Sequence, residues 1–158
     1  MRYFTSYFAN FRNIPKNFLC VGISRYYQDY FKRTDIENYL YVPNSILAPS
    51  EKLLKAMKLN LITEREYTGY YEQELAEGVG RLGYPSEKMY FEDLDRNLST
   101  DGKFDAVVFL CYEKPNEFCH RHILSRHMRE SGFDCRELTS DDIRSKNSKG
   151  APVQTELF

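Results

Sequence analysis

Four side chains in the last third of the chain can do chemistry together: Cys111, Cys119, His120 and Arg121. A thiol in the first turn of a helix, beside an arginine and a protonated imidazole, has a depressed pKa and more thiolate at neutral pH, which makes Cys119 the nucleophile candidate. His120 supplies a proton carrier, because a free imidazole titrates near the working pH, and Arg121 has the planar fork that suits phosphate or carboxylate. Cys111 stands as a second ligand, a resolving thiol or a packing residue. Cys111, Cys119 and His120 could instead be three zinc ligands. Their spacing matches no standard zinc finger, however, and adjacent Cys and His side chains are expected to diverge at a helix start, so no metal and no cofactor is assigned. Cys20 and Cys135 lie in strand-like runs and read as buried, inert thiols. His127 shares an inward helix face with Ile123, Leu124 and Met128, whereas His122 points to solvent.

The elements that must position these groups follow from periodicity and breakers. Residues 105–111 form a continuous apolar run, typical of a strand buried on both faces; Asn116 is the expected cap of a helix through Ser131, closed by Gly132. Residues 133–138 then alternate like a strand, which predicts a parallel pairing with a right-handed crossover. Upstream, residues 3–8 and 18–24 are β-prone runs separated by a turn-rich segment. Residues 25–49 are irregular and Tyr-rich, and suggest a long covering loop with a helical turn at 26–31. Ser50 caps a helix carrying Leu53, Leu54 and Met57 on one face. Thr63 and Glu66 form a capping box before Tyr67, Tyr70, Tyr71, Leu75 and Val79, and Ser86 caps a third helix with Met89, Tyr90, Leu94 and Leu98 inward. The expected fold is an open, mainly parallel, Rossmann-like α/β sheet flanked by helices, formed by residues 1–144 as one domain with a flexible tail at 145–158.

In such sheets ligands bind beyond the carboxyl ends of the strands, where helix N-termini present backbone amides. Thr5 and Ser6 near the first strand end, Ser24 and Arg25 at the second, and Glu113 beyond Cys111 therefore join Arg121 as candidate substrate-binding residues.

Composition narrows the partners. The 22 Lys and Arg nearly balance the 23 Asp and Glu, so no global field draws the chain to nucleic acid or an anionic membrane. The opening residues MRYFTSYFANFRN lack a secretion signal, and no apolar run reaches the roughly 18–20 residues of a membrane span. The four cysteines show no disulfide-framework spacing, which favours reduced thiols in a cytoplasm.

The run VVFLCYEKPNEFCHRHIL at 107–124 resembles the hallmark of the domain-of-unknown-function family 488, as do TSYFAN at 5–10, the strand ending in Ser24 and Arg25, and LAPSEKLL at 47–54. The resemblance implies a Rossmann-like domain of prokaryotic or phage type with Cys and Cys-His-Arg groups near its site, and brings no settled activity. The final QTELF, with Gln154, Leu157 and Phe158, is similar to the motif by which bacterial polymerases and repair enzymes dock on the DNA sliding clamp. An apolar pair on a flexible tether suits such a pocket. Three functions fit: an enzyme acting on a nucleotide or DNA-linked, phosphate-bearing substrate; a non-catalytic module that binds a nucleotide or modified base; and a structural or redox metal site.

Overall fold

Apolar runs flanked by capped amphipathic segments give the expected layers. The structure is a computed structural model that describes residues 1–26, 36–42 and 44–144. Five strands, β1 (Arg2–Tyr7), β2 (Phe18–Gly22), β3 (Tyr39–Tyr41), β4 (Ala106–Cys111) and β5 (Cys135–Glu137), form one sheet in the order β3-β2-β4-β1-β5. Every pairing is parallel, so this is an open α/β sheet of Rossmann-like type. β4 lies at its centre, and all six of its residues are buried.

Side-chain alternation along β4 explains both faces. Val107, Phe109 and Cys111 join Leu75 and Val79 of α2 (Glu64–Arg81), Tyr90 and Phe91 of α3 (Glu87–Ser99), and Leu124 and Met128 of α4 (His120–Glu130). Ala106, Val108 and Leu110 face the other way, toward Phe4, Ile14, Phe18 and Leu138, with Phe8 and Phe11 of a 3-10 segment (Phe8–Asn13) closing over them. The helix starts are held as their sequences require. Ser50 accepts from the Leu53 amide at the head of α1 (Glu51–Lys58), Ser86 accepts from Met89, and Thr63 and Glu66 make a reciprocal capping box.

Five expectations need correction. The strand at 133–138, expected to pair with the 105–111 strand, pairs instead with β1, which lies between β4 and β5. The stretch 25–49 is not all loop, because Tyr39–Tyr41 pairs with Cys20–Gly22 as an edge strand. Helix α4 begins after Cys119 rather than Asn116, so Cys119 is its N-cap, in extended conformation (φ −155°, ψ 147°). Tyr70 and Met89 are each 49% exposed, and Phe91 takes the core place expected of Met89. The turn-rich segment after β1 is largely a 3-10 helix. Apart from Tyr26, the turn expected at 26–31 lies outside the described residues, as does the tail with Gln154, Leu157 and Phe158. Among the described residues no helix is long and apolar enough to cross a membrane.

Candidate active site

The carboxyl end of the central strand delivers Cys111, and the start of the following helix delivers Cys119, His120 and Arg121. An extended N-cap turns its side chain back across the helix start, so Cys119 and His120 do not diverge. The Sγ of Cys119 lies 3.6 Å from His120 Nδ1 and in contact with Cys111 Sγ. All three side chains are buried, with residue exposures of 0%, 3% and 5% for Cys111, Cys119 and His120.

The imidazole has one orientation. Its Nε2 lies 2.8 Å from the Ile23 carbonyl, which can only accept, so Nε2 carries the hydrogen and Nδ1 presents a lone pair to the thiols. Tyr71 packs against the ring at 5.5 Å and gives its own hydroxyl hydrogen to the Leu47 carbonyl. Burial lowers the His120 pKa to about 4, aided by the Arg121 charge and opposed by the Ile23 bond, so at neutral pH the ring is uncharged. No imidazolium is therefore present to depress the Cys119 thiol, in contrast to the sequence expectation.

Arg121 is fully buried. Its Nε and Nη2 donate to Glu137 at 3.2 and 3.0 Å, and its Nη1 donates to Cys111 Sγ at 2.9 Å and to the Glu113 carbonyl. Thr5 also belongs to this chain, donating its hydroxyl to Glu137 at 2.5 Å. A cation donating to sulfur favours the thiolate. The activating charge expected at Cys119 is thus placed on Cys111.

Beside this centre opens a cavity of about 450 Å³. Cys119 and His120 form part of its wall, with Ser24, Arg25, Glu113, Lys58 and the rings of Tyr26, Tyr67, Tyr112 and Phe118. Arg25 is braced by the Pro49 carbonyl at 2.9 Å and by Asn44 Oδ1 at 3.2 Å. Tyr67 meets Phe118 edge to face at 5.3 Å, and burial raises the Tyr67 pKa, so its hydroxyl stays protonated.

Ser24, Arg25, Glu113, Cys119 and His120 are thus brought to one hollow, with Cys111 directly behind it, while Thr5, Ser6 and Arg121 stand outside. Ser6 is buried and accepts from Asn10 at 3.0 Å. Cys20 and Cys135 are buried free thiols. His127 is a clasp between Glu87 (3.0 Å) and Glu72 (2.7 Å), consistent with its inward placement. His122 is less open than expected, with burial lowering its pKa. Lys58, Tyr67, Tyr112, Phe118 and Glu137 were not singled out as site residues. Tyr67 carried only a helix-face signal, and Glu137 carried none.

Fold and site define an all-parallel α/β protein with a buried two-thiol, one-imidazole centre at the carboxyl edge of its sheet. Residues 10–132 match the family described as the Active DUF488-N3 subclade, and the chain belongs to that family. No curated protein and no solved structure matches it.

Proposed function

We propose that the chain is an enzyme acting on a nucleotide or nucleotide-linked substrate, with its reaction centred on Cys119, His120 and Cys111. One observation carries this: the reactive side chains open onto a cavity whose walls are aromatic rings and whose cations are Arg25 and Lys58. Ring faces and edges hold a planar base, and a braced guanidinium with a nearby ammonium holds phosphate. The volume lies in the range of small-molecule sites, roughly 300–1,000 Å³. Ser24 and Glu113 are the remaining polar contacts available to such a substrate. Arg121 acts behind the site, positioning Cys111 and its charge.

The test has two parts. Nucleotides should raise the melting temperature of the protein, and Arg25→Ala should weaken that effect by about tenfold, the ~1.5 kcal/mol lower end of a charge-assisted bond. Cys119→Ser should retain the binding and lose turnover. If no nucleotide among a panel of mono-, di- and triphosphates shifts the melting curve, the proposal fails.

A second reading, a binding module without turnover, is favoured by His120, whose lowered pKa makes it a weak proton carrier at neutral pH. The two readings part when a bound nucleotide is incubated with the protein and recovered unchanged.

A further inference from the structure

We infer that Cys111, Cys119 and His120 bind one zinc-class divalent cation, with a fourth coordination position open to the cavity. This deepens the enzymatic reading above and rests on it only for the use made of that open position. The ligand atoms of the three residues all lie within 4.8 Å of one another and are buried. Two thiolates and one imidazole suit a borderline-soft ion, and three protein ligands with one free position are the pattern of catalytic rather than structural zinc.

The backbone separation points the same way. The Cα atoms of Cys111 and Cys119 are 7.7 Å apart, beyond the ~4.4–6.8 Å that a disulfide usually spans. Two metal–sulfur bonds of ~2.3 Å to a shared ion would bridge a wider separation than a direct sulfur–sulfur bond.

The surroundings are those of metal ligands. His120 gives its Nε2 hydrogen to the Ile23 carbonyl at 2.8 Å, which leaves Nδ1 to coordinate. Arg121 donates to Cys111 Sγ at 2.9 Å and is itself fixed by Glu137 and, through it, Thr5. These two contacts would each orient one ligand of the ion. Glu113 Oε2, 3.5 Å from Cys111 Sγ, stands at the cavity side, where a carboxylate can accept a proton from a water on the ion. Cys20 and Cys135 are elsewhere in the core and take no part.

Titration of the reduced, chelator-treated full chain with Co²⁺ tests the site. The expected result is saturation at one equivalent, a thiolate charge-transfer band with tetrahedral visible bands, and displacement by Zn²⁺. Cys111→Ser and Cys119→Ser should each abolish the charge-transfer spectrum or strongly reduce it, and Cys20→Ser should leave it unchanged. Should those variants fail to fold, alkylation of the wild-type thiols gives a second readout, with Zn²⁺ expected to slow labelling of Cys119 by tenfold or more. Absence of the cobalt spectrum, together with labelling unaffected by Zn²⁺, overturns the inference. Nucleotide binding measured on the same metal-free sample separates the two ideas. If it persists without any metal uptake, the metal site falls and the substrate reading stands; metal uptake without nucleotide binding gives the reverse.

Discussion

Arg121 shows how far one residue's role depends on partners distant in sequence. Its guanidinium is sealed in the core, and Glu137 of β5 supplies the countercharge. Removing one member of a buried pair leaves the other charge without compensation, at about 3–5 kcal/mol. Arg121→Met should therefore lower the free energy of unfolding by that order in urea denaturation, and adding Glu137→Gln should restore part of the loss. Strictly additive losses in the double variant would remove the pairing argument. The sequence suggested Arg121 as a substrate contact because arginine after a Cys-His pair at a helix start suits anions. Nothing local names Glu137 as its partner; the packing of α4 against β5 brings the two together. The meeting of Cys119 with His120 was closer to hand, since they are neighbours in the chain. What could not be read was the extended N-cap that points them the same way, because Asn116 is chemically the better cap and cysteine a poor one.

The elements themselves were largely legible, for physical reasons that differ between them. Ser50, Thr63 and Ser86 are caps because their hydroxyls satisfy helix amides that have no other partner, and the first strand, second strand and β4 declare themselves by apolar runs. Tyr39–Tyr41 was missed because three residues carry too little periodicity to distinguish a strand from a loop, and its pairing with β2 decides the matter. Leu54, Met57 and Tyr67 of the cavity wall carry only a helix-face signal in the sequence, since a pocket wall and a core face have the same helical spacing. Within α2 a pair of glycines separates space from propensity. A Cβ on Gly78 would lie 2.8 Å from Cβ and Cγ2 of Ile46, whereas one on Gly69 meets nothing within 4 Å. Gly69→Ala should stabilise by about 0.5–1 kcal/mol through helix propensity. Gly78→Ala gains the same propensity but overpacks at a cost of ~1–3 kcal/mol, giving a net loss. Thermal melts of the two variants should move in opposite directions; a stabilised Gly78→Ala would contradict the close α2–Ile46 packing.

On the scale of the whole molecule, 22 basic and 23 acidic side chains cancel, so attraction to polyanions must be local. We propose that Arg25 and Lys58 at the cavity provide it for a nucleotide, and that the QTELF segment provides it indirectly for DNA by docking on a sliding clamp. A peptide of residues 149–158 should bind a bacterial clamp saturably, and Leu157→Ala with Phe158→Ala should abolish binding; no saturation at high micromolar peptide rejects the docking. The strand order has a further consequence, one of timing during synthesis. Among the described residues β1 pairs with β4 and β5, and β4 lies between β1 and β2. Translated at ~5–20 residues per second, the nascent chain carries its first two apolar strands for several seconds before the keystone between them leaves the ribosome. The sheet therefore closes late, and stalled or truncated products ending before residue 106 should be clients for chaperones rather than folded fragments.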